Sequence, residues 1–160
     1  MALKPDRIHV DSHIDYFMNE VAERGGIVAI STAGSGAAMD QSQQLCTYQA
    51  NPSGISVLGV LMNDMVNLDL TRQHINWHKD EVQQGGKVTI WSKGTVVTNR
   101  IYPGETPSAG NLAYISHSGY ISTSDGSTDD SDVNSNNKLV GKFLSIKDED
   151  DYAKVSINIP

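Results

Sequence analysis

The sequence predicts a mainly β fold, a small β-barrel or sandwich of about eight to ten short strands with an N-terminal arm. Apolar and polar residues alternate over short stretches, as they do in half-buried strands. Turn signals rich in Gly, Pro, Asn, Asp and Ser recur about every 8 to 12 residues. The 160-residue chain contains 14 glycines and is 38% hydrophobic, which suits a thin fold or one that gains core by self-association.

Residues 1–25 are predicted to form the arm, and residues 26–160 the β-barrel domain. Apolar residues in the arm fit one face of a helix, but some of them also alternate as in an extended segment. Both conformations remain open at this point. Gly25-Gly26 would act as a helix stop or a hinge. The expected apolar contacts of the arm with a partner are Ile14, Tyr16, Phe17 and Met18.

Within the barrel domain, glycines and charged pairs mark the expected turns. Gly59 lies inside an apolar run and predicts a bulge or a close backbone approach. Lys93-Gly94 predicts the turn of a hairpin that spans Lys87 to Ile101. His117-Ser118-Gly119 predicts a second turn, and Lys147 to Asp151 predicts a charged loop between the last two strands.

The charge balance argues against nucleic acid as a partner. There are 12 basic and 19 acidic residues, a formal net charge of −7, and no run of Lys or Arg, whereas nucleic-acid binding requires clustered positive charge. No signal peptide is expected at the N-terminus. No apolar run approaches the ~20 residues that span a membrane, so we expect a soluble protein made in a cytoplasm.

No constellation of residues that an enzyme would require is evident, so we expect neither catalysis nor a cofactor. The single cysteine, Cys46, lies in the run Leu45-Cys46-Thr47-Tyr48, which favours a small buried thiol over a nucleophile. The phosphate-binding loop and the Gly-x-Ser-x-Gly elbow are both absent from the sequence.

Two patterns suggest metal ligands, but both favour solvated polar residues. The pairs His9/His13 and His74/His78 are each four residues apart, a spacing that could hold a metal on a helix. Asp130 to Asn134 resembles the start of a calcium loop, but Ser135 and Gly141 stand where that loop needs Gly and an acidic residue. We therefore expect no metal.

The two tryptophans leave two interpretations open. Trp91 faces away from Val88 and Ile90 on its predicted strand, and Trp77 lies in a polar segment, 71–84. Each could be core of a second face or an exposed anchor for a partner, since Trp is enriched at interfaces. A second polar segment, 124–137, is predicted to be a mobile surface loop.

Several blocks of the sequence carry a resemblance to a known family. They are Ser53–Asp69 (SGISVLGVLMNDMVNLD), Gly85–Gly94 (GGKVTIWSKG), Leu139–Ser145 (LVGKFLS) and Tyr152–Val155 (YAKV). Together they resemble the small β-barrel decoration, or cement, proteins of tailed-bacteriophage heads, particularly those of marine and cyanobacterial phages. The resemblance covers most of residues 25–160. It lies in the general arrangement of the sequence and in these short stretches of residues, and it includes no chemical motif.

The resemblance implies a structural virion protein on the outer surface of the capsid. Such proteins bind the major capsid protein, form trimers or dimers with themselves, and reinforce the joints between capsomers. The acidic net charge and the arm agree with that role, since an arm can add a strand or a helix to a partner.

Two other functions remain open. The chain could be another virion component, such as a head-fibre base, a tail adaptor or a receptor-binding module. It could also be a carbohydrate-binding barrel that uses Trp77 and Trp91 as stacking platforms.

Overall fold

The computed structural model describes residues 9–34, 44–48, 50–51, 54–64, 81–82, 84–126 and 137–160. For residues 9–15, 32–34, 63–64 and 81 it describes the backbone but not the side chains. Its strands are β1 (His9–Met18), β2 (Ala22–Glu23), β3 (Ile27–Gly34), β4 (Gln44–Thr47), β5 (Val57–Asp64), β6 (Glu81–Val82), β7 (Lys87–Thr98), β8 (Leu112–Ile115), β9 (Ile121–Ser122), β10 (Leu139–Phe143) and β11 (Ala153–Asn158). The described residues contain no α-helix, and about half of them are in strands. The predicted mainly β barrel fold is confirmed.

Five strands close a barrel, which we call the barrel lobe. Its order is β1-β4-β3-β5-β7, and β7 pairs back with β1. The neighbours run antiparallel except β1 and β4, which are parallel at Phe17↔Leu45 and Met18↔Cys46. Closure gives the backbone groups of each strand partners on both sides, so the ring stabilises strands that would be too short alone.

Residues 9–18, predicted to belong to a separate arm, form one strand of this barrel. β1 pairs with β7 from His9↔Thr95 to Phe17↔Lys87. The helical alternative is therefore wrong for this segment, and residue 25 does not mark a boundary between an arm and the barrel. The reason is a pairing with a strand distant in sequence, which outweighs the local helical spacing of apolar residues.

The predicted hairpin turn at Lys93-Gly94 is also wrong, because β7 runs unbroken through it for 12 residues. Gly94 has a φ of 152°, a value that residues with side chains rarely adopt. Around it the strand exchanges partners: its first part pairs with β5 and β1, and its last part pairs with β11. The glycine marks the point where one strand passes from the barrel into a second unit.

That second unit, the C-terminal lobe, consists of the end of β7 followed by β11, β10, β8 and β9. The strand β9 of this unit lies next to the residues that directly follow β7. Ile121 of β9 forms a parallel bridge with Ile101, just beyond β7. Its N–H donates to the Arg100 carbonyl at 2.9 Å, and its carbonyl accepts from the N–H of Tyr102 at 2.9 Å. The two lobes therefore share β7.

Two turn predictions in the C-terminal lobe are confirmed. His117–Gly119 forms a 3-10 turn, and it joins β8 to β9 with Ile115 opposite Ile121. β10 and β11 pair antiparallel around the charged loop, with Phe143 opposite Val155. Most of the polar segments 71–84 and 124–137 lies outside the described residues, so their prediction as polar loops stays a prediction.

Two groups of buried side chains form the core. The barrel core contains Met18, Ala22, Val28, Cys46, Leu58, Leu61, Val82, Val88 and Ile90. The C-terminal core contains Val96, Ile101, Ala113, Ile115, Ile121, Val140, Phe143, Ala153, Val155 and Ile157, together with Ile27 and Val60 from the barrel strands. Because β3 and β5 contribute side chains to both groups, the lobes are packed together by a continuous apolar contact.

Candidate interaction surface

Exposed apolar side chains are concentrated on the C-terminal lobe. Among the described residues, six large apolar side chains are exposed, and four of them lie on this lobe: Leu112 at 49%, Leu139 at 53%, Leu144 at 43% and Ile146 at 68%. Single exposed apolar residues are normal on a protein surface. Four of them on adjacent strands and the loop that follows indicate a contact surface.

Strand alternation places the first two on the outer face of the sheet. In β8, Ala113 and Ile115 are buried while Leu112 is exposed. β10 begins with ordinary alternation, Leu139 exposed and Val140 fully buried, and a register shift between Leu139 and Gly141 accompanies the burial of Phe143, three residues after Val140. Such a bulge re-aims a side chain without ending the strand.

These positions form an apolar patch with lysines beside it. Leu139 lies opposite Tyr114, and Leu112 lies opposite Lys142, which makes the two leucines diagonal neighbours. Lys138 and Lys142 are both exposed. We call Leu112, Tyr114, Lys138, Leu139 and Lys142 the outer patch. It is apolar and positively charged on a chain whose net charge is −7.

A groove of about 490 Å³ continues this surface beyond β10, and we call it the hairpin groove. It is lined by Val97, Leu144, Ser145, Ile146, Lys147, Asp148, Tyr152 and Lys154. Backbone pairing holds its two sides together: the Leu144 N–H donates to the Lys154 carbonyl at 2.8 Å, and the Lys154 N–H donates to the Ser145 hydroxyl at 2.8 Å. Its lining includes the apolar or aromatic side chains of Val97, Leu144, Ile146 and Tyr152.

An ordered acidic turn closes the groove at one end. Asp148 Oδ1 accepts the backbone N–H groups of Asp150 at 3.0 Å and Tyr152 at 2.8 Å. Lys147 Nζ lies 3.7 Å from Asp151 Oδ1. Glu149, Asp150 and Asp151 are all exposed, and we call them the acidic tip. The backbone bonds fix this negative charge beside the lysines of the same face.

The surface suits recognition of another protein. Apolar side chains supply buried area and the charges supply orientation. Among the described residues, no group of three or more His, Cys, Asp or Glu side chains is placed to hold a metal ion. The part of the chain that is described also contains no helix long and apolar enough to cross a membrane.

The predicted contact residues of the arm lie in or against the barrel. Met18 is fully buried in the barrel core, so its prediction as a partner contact is wrong. Its place on β1 faces inward next to Cys46, whose thiol donates to the Met18 sulfur at 3.6 Å. Tyr16 and Phe17 are half-buried, and Tyr16 packs against the barrel core.

The other predicted contacts are Ile14, Trp91 and Trp77, of which only Trp91 has a described side chain. Ile14 pairs with Ile90 in the barrel, and its side chain is outside the described ones. Trp91 is half-buried and packs against the C-terminal core, which favours its interpretation as core of a second face. Trp77 and the segment Asp130–Asn134 lie outside the described residues. Among the described side chains, Met18 lies in the core and Tyr16, Phe17 and Trp91 are half-buried.

The residues of the outer patch and groove were missed as contacts. Their strands were predicted from alternation, but alternation alone shows two faces and not which face is buried. The lysines at 138, 142, 147 and 154, spaced among apolar residues on an acidic chain, were the available signal. The prediction that Cys46 is a buried thiol is confirmed: it is fully buried, and burial raises its pKa from 9.0 to about 12.

No protein-family model matches the chain, and no curated protein matches its sequence. The geometry of the surface and the resemblance of the sequence blocks are thus what support a function.

Proposed function

We propose that this chain is a non-enzymatic structural protein of a tailed-phage head. It binds the outside of the shell formed by the major capsid protein, and it reinforces the joints between capsomers. Its place is the outer surface of the virion, after synthesis in the host cytoplasm. Copies also associate with each other, as a dimer or trimer.

The observation that carries this proposal is the outer patch on a body of two packed lobes. Leu112 and Leu139 are about half exposed, so covering the exposed half of each stabilises a complex by about 1 kcal/mol, since full burial of a leucine contributes about 1.5–3 kcal/mol. That is small for one contact. A lattice offers many equivalent sites, and copies linked to each other gain avidity from several weak contacts.

The charge distribution supports the same orientation. The net charge of −7 disfavours contact with packaged DNA, because phosphates repel an acidic surface. The exposed Lys138 beside the leucines suits an acidic rim on the capsid protein. The outer patch therefore faces the shell, and the acidic remainder faces solvent.

The test is co-sedimentation of the purified chain with DNA-free heads assembled from the capsid protein encoded in the same genome. The double variant Leu112→Asp with Leu139→Asp should weaken binding at least about tenfold, since two apolar contacts are replaced by buried charges. The matched control is Val21→Asp. Val21 is 63% exposed on the barrel lobe, and its variant should bind as the wild type does. Equal binding by the double variant would remove the patch from this role.

Deleting the whole segment 1–24 would not test the predicted role of the arm by itself. Such a deletion would remove β1, which closes the barrel. Deleting residues 1–8 leaves β1 whole, so it tests whether the part of the predicted arm that precedes β1 contacts the capsid, with the circular dichroism spectrum as the check on folding. Unaltered binding would show that these residues are not a capsid contact.

A further inference from the structure

The loop between β10 and β11 and the strand residues beside it carry a protruding side chain, a groove, and both basic and acidic residues. Ile146 is the most exposed of the large apolar side chains described, at 68%, and it lies on the rim of the hairpin groove. We infer that this hairpin packs antiparallel on the same hairpin of a second copy about a two-fold axis near Ile146. This inference rests on the self-association in the proposed function and names the surface for it.

Shape is the first argument. In a two-fold interface, a residue of one copy contacts a second residue of its partner, and the reverse contact occurs at the same time. A protruding side chain next to a groove satisfies this condition, because each Ile146 can enter the groove of the other copy. The walls it would meet are Val97, Leu144 and Tyr152, whose side chains are apolar or aromatic.

The second argument is the spacing of charged residues along the hairpin, which fits the same two-fold axis. Glu149 is three residues beyond Ile146, and Lys142 is four residues before it. At about 3.3 Å per extended residue, these positions lie at most about 10 Å and about 13 Å from Ile146. Lys154 lies beside Leu144 on the neighbouring strand. Antiparallel apposition therefore sets each acidic tip against Lys142 and Lys154 of the other copy.

The balance of charge favours a second copy over an acidic partner. Lys142, Lys147 and Lys154 share the hairpin with Asp148 and the acidic tip. A uniformly acidic surface placed here would meet both attraction and repulsion, because like charges across an interface disfavour the complex. A two-fold rotation of the same hairpin instead brings the acidic tip of each copy toward Lys142 and Lys154 of the other, so these contacts join opposite charges.

The experiment uses sedimentation velocity of the full chain, with no capsid present, so its failure is distinct from failure of capsid attachment. The lysine variant carries Lys142→Glu and Lys154→Glu, and the tip variant carries Glu149→Lys and Asp150→Lys. We expect wild type to dimerise, and each variant alone to dissociate with at least about a tenfold weaker Kd. An equimolar mixture of the two variants should dimerise again, since the substituted residues of one variant then face residues of opposite charge on the other.

Three further results bear on the inference. Ile146→Asp should abolish the dimer, and Arg24→Glu with Lys87→Glu, an equal change of net charge on the barrel lobe, should leave it intact. Circular dichroism checks that each variant is folded. A wild type that is monomeric or trimeric, a mixture that does not reassociate, or an Ile146→Asp variant that still dimerises would each overturn the two-fold hairpin interface.

Discussion

Arg100 Nη2 donates to Glu23 Oε2 at 2.6 Å and thereby connects the two lobes, since Arg100 follows β7 and Glu23 belongs to β2. The guanidinium also lies 5.4 Å from the ring centre of Tyr120 and 6.0 Å from that of Tyr48. Tyr48 comes from the end of β4 and Tyr120 from the C-terminal lobe. One cation thus contacts an acid and two aromatic rings drawn from both lobes.

Replacing Arg100→Met should lower the free energy of unfolding by about 1–3 kcal/mol, because methionine keeps the alkyl contact but loses the ion pair and both ring contacts. Glu23→Gln should lower it by less than about 1 kcal/mol, since the Glu23 side chain is 45% exposed and exposed ion pairs are weak. Urea denaturation measures both. A larger loss from Glu23→Gln than from Arg100→Met would show that the ring contacts contribute little.

Gly59→Ala should destabilise the barrel by more than about 2 kcal/mol. Gly59 has a φ of 158°, and a Cβ there would overlap the Trp91 carbonyl on the neighbouring strand, so the strands would have to separate. Gly104→Ala is the control. Gly104 also has a positive φ, 85°, but open space around it, and its variant should lose only about 1 kcal/mol. Equal losses would mean that the close approach at Gly59 is relieved cheaply.

Gly59 and Gly94 show how far local sequence signals reach. At Gly59 the prediction of a close backbone approach is confirmed, because a glycine inside an apolar strand leaves room that a neighbouring backbone can occupy. At Gly94 the same residue type, after a lysine, predicts a turn but lies within a continuous strand. The difference is set by β11, whose Ile157 pairs with Gly94, and that partner lies far along the chain.

The predictions of the arm and of the contact surface from the sequence fell short for related reasons. The parallel pairing of Met18 with Cys46 and the closure of β1 on β7 are non-local, so alternation near Ile14 could indicate a strand but not a barrel strand. Leu139 and Val140 are adjacent and equally apolar, so they face opposite sides of β10, and the packing of the strand decides that Val140 is buried and Leu139 exposed. Periodicity predicts that a strand has two faces, while pairing decides which face is buried.

Stability should fall between pH 9 and 12, in part through Cys46. Burial raises the pKa of its thiol from 9.0 to about 12, so in this range the folded chain keeps a proton that the unfolded chain releases. The contribution is complete below pH 9 and declines as the pH rises, by at most about 1.4 kcal/mol per pH unit. Cys46→Ala should therefore show a shallower decline in urea midpoints above pH 9. Parallel curves for the two proteins up to pH 11 would contradict the raised pKa.

Asp151→Gly should stabilise the chain by about 0.5–1 kcal/mol. Asp151 has a φ of 65°, a left-handed conformation that disfavours residues with a Cβ, and its carboxylate is 77% exposed in the contact with Lys147. Asp150→Gly in the same turn is the control and should be neutral or destabilising, because glycine only adds freedom to the unfolded chain there. Thermal unfolding of both variants compares them, and a lower melting temperature for Asp151→Gly would contradict the strain.

The most direct test of the central claim, that this protein decorates the head, is cryo-electron microscopy of DNA-free heads with and without the added chain. We predict extra density on the outer surface at every equivalent joint between capsomers. That density should have two lobes, with the strands β8 and β10 turned toward the shell. Absence of added density, or density at a single vertex or on the tail, would contradict the role of a head decoration protein.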